Sequence, residues 1–274
     1  MTHKKYKYKV IIEYDGTPYR GWQVQKNART VQGVMLEAAD DLFGAPVDIQ
    51  GAGRTDAGVH ALAQVAHMEV PRRMPPRVIL EQLNERLPSS INILHAEEVP
   101  VSFHARHDAE GRSYIYVISR YRTAFGKRYV WWIRENLDLA KMQAACTCFR
   151  GFHNFSSFAD RRRDPNGSAM VQLDHISMME EDGLIIFRIA ASHFLWRMVR
   201  RIIGVVVKIG QGRLSPTVLP QLLDETSDLP ARLTAPASGL FLEGVIYNGR
   251  IAEPSISPAF PFPLRTGCVK LFTR

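Results

Sequence analysis

The sequence has 274 residues and a mass of 31.0 kDa, which is enough for one large domain or two smaller ones. Hydrophobic residues make up 46% of the chain and charged residues 23%, so a disordered, collagen-like or low-complexity protein is excluded. The 35 lysines and arginines outnumber the 27 acidic residues, and the resulting formal net charge of +8 favours a polyanionic partner such as nucleic acid.

Cysteine usage and apolar runs predict a cytoplasmic protein without membrane contact. The 3 cysteines are too few, and odd in number, for a disulfide framework, which indicates a reducing compartment. No run approaches the ~18 apolar residues of a membrane-spanning helix, and the first residues lack the apolar stretch of a secretory signal.

The first hundred residues predict elements in the order β-α-β-β-α-β. Alternating side chains predict a strand over residues 7–14, and apolar residues three or four apart predict a helix that Thr30 caps and Gly44 ends. Further strands are expected at 48–53, 62–70 and 91–99, with a second helix opened by Pro75 and Pro76. This order is typical of a ferredoxin-like sandwich, in which two helices cover one face of an antiparallel sheet.

The remaining residues predict a second region of mixed α and β structure. Strands are expected at 112–119, 171–180, 184–191 and 240–247, and helices at 138–149, 193–209 and 215–223. Residues 161–168 combine charge, Pro and Gly without periodicity, which indicates a long mobile loop. We therefore expect an α+β chain with two domains, residues 1–105 and residues 106–274.

The densest cluster of chemically distinctive residues is the glycine-rich segment 51–60, between two predicted strands. Its Arg54, Asp56 and His60 supply charge and groups that transfer protons. The segment is not a P-loop, because no Gly-Lys-Ser/Thr follows. It is not a dinucleotide fingerprint either, because that motif requires a helix directly after it and none is predicted here. Two interpretations remain open: a polar hairpin loop with a structural Arg–Asp pair, or a site where Asp56 is nucleophile or base and Arg54 orients the substrate.

The helix predicted over residues 193–209 combines an apolar stripe with a basic face. The basic residues are His193, Arg197, Arg200, Arg201 and Lys208. They form either an ordinary solvated surface or a track for a phosphate backbone, and the lack of any acidic residue in this stretch favours the track. The same two interpretations apply to the run Arg161, Arg162 and Arg163 in the predicted loop. In the second, the mobile loop becomes ordered when it binds RNA.

Two further patterns are ambiguous. Tyr114 lies on a predicted strand, where it either packs in the sheet core or stacks on a base. His104 and His107 have the chemistry of metal ligands, but no third spaced ligand accompanies them, so no metal site is expected.

Residues 53–61, Gly-Arg-Thr-Asp-Ala-Gly-Val-His-Ala, resemble the catalytic signature of the TruA-type tRNA pseudouridine synthases. Other blocks resemble the same family in the same order, and the resemblance spans roughly residues 7–247. These blocks are residues 15–23, 30–33, 103–106, 111–116, 194–204 and 235–242.

The resemblance implies two ferredoxin-like, or RRM-like, halves whose antiparallel sheets join around a central active-site cleft. It also implies an isomerase that converts uridine to pseudouridine at positions 38, 39 and 40 in the tRNA anticodon stem-loop. The family acts as a homodimer without a cofactor or metal, so tRNA and a second copy of the chain are the expected partners.

The same resemblance implies roles for individual residues. Asp56 is the essential carboxylate, either a nucleophile at the ribose C1′ or a base at a ribose proton, and Arg200 pairs with it. Tyr114 stacks on the flipped uracil and assists the removal of the C5 proton. The other residues expected to bind the substrate are Arg54, Arg106, Arg161, Arg162, Arg163, Arg197 and Leu240.

Three other functions remain open on the sequence alone. A related synthase with a different RNA target would share these motifs, because target choice depends on loops and dimer geometry. A non-catalytic RNA-binding protein on the same scaffold would use the basic helix without Asp56. A hydrolase acting at a glycosidic carbon would need a second carboxylate at a fixed distance, and none stands out near Asp56.

Overall fold

The computed structural model describes residues 5–160 and 167–251, which form two compact units. The first unit contains the described residues up to Glu110 together with those from Phe241 onward, and the second contains Gly111–Leu240. The second unit is therefore inserted in the chain between the two parts of the first. Residues 161–166, most of the loop that the sequence predicts to be mobile, lie outside the described residues.

Helices and strands are mixed in both units. Residues 5–110 contain β1 (Tyr6–Tyr14), α1 (Val31–Phe43), β2 (Asp48–Gly51), β3 (His60–Val70), α2 (Pro76–Arg86) and β4 (Ile91–Val99). The second unit contains β5 (Gly111–Ser119), β6 (Trp131–Trp132), α3 (Leu139–Thr147), β7 (Gly151–Asn154), β8 (Met170–Glu181), β9 (Leu184–Ala191), α4 (Met198–Gly210), α5 (Val218–Asp224) and α6 (Leu229–Arg232). Strands β10 (Leu240–Tyr247) and β11 (Arg250–Ile251) follow. The predicted β-α-β-β-α-β order of the first hundred residues is confirmed.

Strand β3 lies at the centre of the sheet in the first unit. It pairs antiparallel with β1 and β2 and parallel with β10, where His60 lies opposite Phe241. Strand β1 also pairs antiparallel with β4, so that Val10 lies opposite both Ala66 and Ala96. Helices α1 and α2 contact each other and lie against β2 and β4 respectively. Most side chains of β1 and β3 are buried.

Helix α1 begins and ends where its local sequence predicts. The Thr30 side chain accepts a hydrogen bond of 3.2 Å from the Gly33 amide in the first turn. Gly44 adopts a left-handed φ of 67°, and its amide donates to the Asp40 carbonyl at 2.9 Å. Both ends of the helix are thus set by single residues with the right local chemistry.

The second unit is built on strands in the order β5-β9-β8-β7. Strand β6 pairs parallel with the end of β5, and the other neighbouring strands are antiparallel. Strands β8 and β9 form the predicted hairpin, which turns at Asp182 and Gly183 with φ angles of 49° and 74°. The short elements β6, β7 and α6 escaped prediction because two to four residues carry no readable periodicity.

Helix α4 begins at Met198, so the prediction of a helix from His193 was wrong. Arg197 adopts a left-handed φ of 65°, which interrupts any helix entering from its N-terminal side. Every residue of α4 is buried except Arg200 and Lys208. The helix is therefore a core element with two partly exposed cationic positions. Among the described residues, no helix is long and apolar enough to cross a membrane.

Gly204 of α4 tests how closely this helix packs. A Cβ at this position would lie 1.7 Å from the Leu233 carbonyl oxygen, so the neighbouring backbone must move to admit a methyl group. We expect Gly204→Ala to lower the free energy of unfolding by roughly 1–3 kcal/mol, although alanine normally favours a helix by about 1 kcal/mol. Urea unfolding measures the change.

The control for this substitution is Gly53→Ala. No described atom lies within 4 Å of a Cβ built at Gly53, and its φ is outside the left-handed region. Its stability should stay within about 0.5 kcal/mol of the original chain. A Gly204→Ala variant as stable as this control would contradict the packing described for α4.

Candidate active site

The loop that carries Asp56 joins β2 to β3, and its backbone is held on both sides of that residue. The Thr55 carbonyl accepts a hydrogen bond of 3.1 Å from the Trp22 amide, and the Thr55 hydroxyl lies 2.8 Å from the Tyr14 hydroxyl. The Val59 amide donates to the Asp56 carbonyl at 3.1 Å and closes a tight turn. Asp56 is half-buried. Its carboxyl group is thus carried by a fixed backbone.

Two glycines allow the segment 15–23 to lie directly against the Asp56 loop. Gly21 has a φ of 99°, and a Cβ there would lie 2.5 Å from the Thr55 carbonyl oxygen. A Cβ at Gly16 would lie 2.0 Å from the Val59 carbonyl oxygen. The contact between the two backbone segments therefore requires glycine at both positions.

His60, a sequence candidate for proton transfer, lies beneath the loop and is only 1% exposed. Its Nδ1 lies 3.1 Å from Asp15 Oδ1 and 3.1 Å from the Gly16 amide nitrogen, and its ring stacks on Phe241 with centroids 4.7 Å apart. Burial raises the pKa of Asp15, but hydrogen bonds from His60 and Thr17 outweigh burial and hold that pKa well below its usual value. His60 therefore fixes the end of β1 rather than facing a substrate.

Gln64 of β3 supports the same loop, although the sequence analysis did not single it out. It is completely buried, and its Nε2 donates a hydrogen bond of 2.8 Å to the Gly53 carbonyl. Arg54, the next residue, is exposed. The available signal was an amide side chain in the middle of an apolar strand, since a buried polar group needs a hydrogen-bond partner.

Arg106 lies on a turn after β4 that side chains from other strands hold in place. The Ala105 amide donates to His67 Nδ1 of β3 at 3.1 Å, and the Ala105 carbonyl accepts from the Tyr247 hydroxyl of β10 at 2.5 Å. The Arg106 amide donates to His104 Nδ1 at 3.2 Å. Arg106 itself is exposed. The turn therefore presents a single arginine to solvent from a braced backbone.

His67 of β3 and His104 of the turn must be neutral to accept these hydrogen bonds at Nδ1. Burial, together with the positive charge of Lys7, lowers the pKa of His67 to about 4. Burial and the neighbouring His107 also lower the pKa of His104. At neutral pH both rings therefore accept hydrogen bonds at Nδ1. In the part of the chain that the structure describes, no group of three or more His, Cys, Asp or Glu side chains could hold a metal ion.

Tyr114 belongs to the second unit, on β5, and is 8% exposed. Its ring meets Phe194 edge to face, with centroids 4.9 Å apart. Tyr116, two residues on, is completely buried, and its hydroxyl donates to the Pro236 carbonyl at 2.9 Å. Burial raises the pKa of Tyr116 far above its usual value. Of the two tyrosines, Tyr114 is the one that retains exposed surface.

Arg200 occupies one of the two partly exposed positions of α4. Its Nε donates a hydrogen bond of 2.7 Å to the Ala235 carbonyl, and the Ala235 amide donates to the Arg200 carbonyl at 3.0 Å. The first of these two bonds orients the guanidinium. Leu240, at the start of β10, is buried.

The predicted basic track along 193–208 was wrong, because its members do not share one exposed helix face. Arg201 is buried, where it donates to the Ser157 carbonyl at 3.4 Å and lies 3.9 Å from the Asp160 carboxylate. Arg197 precedes the helix, lies 3.4 Å from the same carboxylate and stacks over Trp196. The neutralising Asp160 stands outside the stretch on which the prediction was based.

The sequence-predicted site residues are divided between the two units. Asp56, Arg54 and Arg106 lie in the first unit, and Tyr114, Arg197, Arg200 and Leu240 lie in the second. Arg161, Arg162 and Arg163 lie outside the described residues. The pairing of Asp56 with Arg200 and the roles of all these residues stay predictions.

Comparisons with known proteins identify relatives over most of the chain. A family model described as tRNA pseudouridine synthase matches residues 10–108 and 145–248. The tRNA pseudouridine synthase A of Acetivibrio thermocellus is 40% identical over 241 residues, 87% of this chain and 98% of that protein. The corresponding protein of Ruminiclostridium cellulolyticum is 38% identical over 247 residues, 88% of this chain and 99% of that protein. A crystal structure of an archaeal box H/ACA sRNP Nop10-Cbf5 complex is 12% identical, with a TM-score of 0.36 over 73% of this chain and 44% of that chain.

The neutral state of His67 predicts a pH dependence of stability. In the unfolded chain a histidine titrates near its ordinary pKa of about 6.5, whereas His67 in the native turn titrates at about 4. Between these values the unfolded state binds more protons, so stability falls as the pH is lowered. Lys7 and His104 favour this neutral state, and Asp48 and Glu69 oppose it.

We expect His67→Asn to reduce this dependence, because the asparagine oxygen can accept the Ala105 amide bond without titrating. Urea unfolding between about pH 7 and pH 5 should show a loss of stability that is smaller in the variant by roughly 1–2 kcal/mol. The difference in the free energy of unfolding between the two proteins at about pH 7 gives the effect of the substitution itself on stability. Parallel pH profiles for the two proteins would contradict a neutral, buried His67.

The burial of Arg201 predicts a structural rather than a ligand-binding role. Arg201→Ala leaves the Asp160 carboxylate buried with less compensation, so we expect a loss of roughly 3 kcal/mol in the free energy of unfolding. Lys208→Ala on the same helix is the matched control, since Lys208 is partly exposed and bonds only to Gln211 among the hydrogen bonds described. The control should lose less than about 1 kcal/mol, and equal losses in both variants would argue against the buried ion pair.

Proposed function

Because the chain belongs to the tRNA pseudouridine synthase family, we propose that it isomerises uridine at positions 38, 39 and 40 of the tRNA anticodon stem-loop. The enzyme is an isomerase that acts on uridine in tRNA. The observation that carries the proposal is Asp56, a half-buried carboxylate on a loop whose backbone is held by Trp22 and Gln64 and whose Thr55 side chain is held by Tyr14. The motif around Asp56 is also the part of the sequence with the most specific resemblance to the TruA type.

The reaction needs a carboxylate but neither an oxidant nor a reductant. The bond between uracil N1 and the ribose C1′ breaks, the uracil turns, and its C5 bonds to C1′. The proton lost from C5 is balanced by a proton gained at N1, so substrate and product have the same atoms. Asp56 acts either as a nucleophile at C1′, which then leaves when C5 attacks, or as a base on a ribose proton.

The other site residues are assigned supporting roles. Tyr114 stacks on the flipped uracil and assists removal of the C5 proton; at 8% exposed it is less deeply buried than Tyr116. Arg200 pairs with Asp56, and the hydrogen bond from its Nε to the Ala235 carbonyl suits an orienting role. Arg54 helps to hold the flipped nucleotide, and Leu240 packs at the floor of the pocket.

Binding of the rest of the tRNA is assigned to cations on both units. Arg106 projects from its braced turn, which favours a phosphate contact of fixed position. Arg197 and the run of arginines at 161–163 extend this set. The formal charge of +8 supports an interface dominated by phosphate contacts. We place the enzyme in the cytoplasm as a homodimer that needs no cofactor.

The decisive experiment follows tritium released from C5 of uridine in an unmodified tRNA transcript. We expect Asp56→Asn to reduce release to background while tRNA affinity stays within about threefold, because one pocket carboxylate contributes little to a large phosphate interface. Asp48→Asn is the matched control, an exposed carboxylate on β2 close in sequence to the loop, and it should retain full turnover.

Mapping the modified positions separates reaction from target. Pseudouridine at positions 38, 39 and 40 that depends on Asp56 would establish both the reaction and its target. Products at other tRNA positions would keep the reaction and replace the proposed target. Turnover by Asp56→Asn equal to that of Asp48→Asn would contradict the assignment of the catalytic carboxylate.

A further inference from the structure

A second group of residues with the chemistry of RNA binding lies in the second unit, after β5. We call residues 120–134 the aromatic loop. Its two ends are fixed, because β6 pairs with the end of β5 and the Ile133 amide donates to the Ser119 carbonyl at 3.0 Å. Within it, the Tyr129 amide donates to the Gly126 carbonyl at 2.9 Å, and the Gly126 amide donates to the Thr123 hydroxyl at 3.0 Å. The loop is therefore a set of turns with defined hydrogen bonds.

Three large aromatic side chains of this loop are open to solvent. Phe125 is 97% exposed, Tyr121 is 68% exposed and Trp132 is 42% exposed. Tyr121 also lies against the β8–β9 turn, since a Cβ at Gly183 would meet its ring at 2.1 Å. Several large aromatic side chains left exposed within one short loop of a folded chain indicate a binding surface. Their flat faces suit the stacking of unpaired bases.

The aromatic loop carries only positive charge. Its cations are Arg120, Arg122, Lys127, Arg128 and Arg134, and the sequence from 119 to 134 contains no acidic residue. Arg120 pairs with Glu180 at 2.6 Å, whereas Arg122 and Lys127 are exposed. Positive charge interleaved with aromatic rings is the combination that single-stranded nucleic acid requires.

Arg122 and Lys127 line a cavity together with Trp132. The cavity has a volume of about 480 Å³, and Thr123, Ala124 and Val130 complete its wall. The Arg122 guanidinium lies 6.0 Å from the centroid of the Trp132 ring. A volume of this order is within the usual range of small-ligand sites, about 300–1,000 Å³, and accommodates one nucleotide. One wall is an aromatic face, and the other walls carry cations that would meet its phosphate.

We propose that the aromatic loop binds an unpaired nucleotide of the tRNA, at a site apart from the reacting uridine. The base stacks on Trp132 or Phe125, and the adjoining phosphate pairs with Arg122 and Lys127. This inference rests on the proposed function only in taking tRNA as the ligand. A second copy of the chain is a poorer occupant, because a patch without acidic residues on a protein of charge +8 would meet like charge. Residues 120–134 also lie outside the ranges that the family model matches.

Binding is measured in the Asp56→Asn background, so that no turnover occurs. Two probes are used, an unmodified tRNA transcript and a fully paired RNA duplex of similar length. We expect one of the two variants Phe125→Ala and Trp132→Ala, the one that removes the stacking ring, to weaken tRNA binding about tenfold, since loss of one stacked base has an effect of this size. Duplex binding should change less than about twofold, because a duplex offers no unpaired base.

Matched variants separate stacking from charge. Phe152→Ala on β7 is the control, since Phe152 is 62% exposed and lies outside the aromatic loop, and it should leave tRNA binding unchanged. The double variant Arg122→Ala/Lys127→Ala should weaken tRNA binding and reduce the slope of log affinity against log salt by about 2. Because Phe125 is almost fully exposed, its variant is expected to fold, and urea unfolding checks this.

Three outcomes would overturn the proposal. The first is unchanged tRNA affinity in both aromatic variants. The second is an equal loss for tRNA and duplex, which would leave charge alone as the contact. The third is a change of sedimentation to a smaller species in Phe125→Ala without RNA, which would make the patch an interface between copies. The positions modified by the wild-type enzyme test the proposed function separately, so each inference can fail alone.

Discussion

The position of Asp56 depends on how closely two backbone segments approach each other. The Trp22 amide reaches the Thr55 carbonyl, and this hydrogen bond forms only because residue 21 has no side chain to separate the two strands of backbone. The carboxylate proposed to be catalytic is thus placed by main-chain contacts on either side of it. Such contacts have little freedom to adjust, and a reaction that breaks and remakes a bond at one carbon needs a group held to within a fraction of an ångström.

Strand β3 supports the first unit through three buried polar side chains, each of which holds a different loop. His60 lies against the end of β1, Gln64 holds the carbonyl before Arg54, and His67 holds the turn that carries Arg106. Each would be costly in an apolar strand without a partner, so each favours the one loop position that supplies it. The central strand therefore orders three loops, including the one that carries Asp56, as well as the core.

The elements that depend on local chemistry were predictable from the sequence. Thr30 and Gly44 fixed both ends of α1, and the glycine-rich segment around Asp56 stood out by composition and resemblance. The basic track failed because the partner that neutralises Arg201 lies 41 residues before it, where no spacing pattern records it. The same holds for His67, whose amide partner lies 38 residues away. The periodicity of a sequence does not report which polar groups pair over long distances along the chain.

The insertion of the second unit has a consequence for how the protein is made. Strand β10 pairs with β3, and Tyr247 of β10 holds the turn before Arg106. Residues 241–247 of this strand nevertheless leave the ribosome after the whole of the inserted unit, residues 111–240. The β10-facing end of β3, at His60 and Ala61, must therefore remain unpaired while the inserted unit is synthesised. Translation delivers β10 only after the inserted unit, so the first unit gains its complete Arg106 turn only once Tyr247 has emerged.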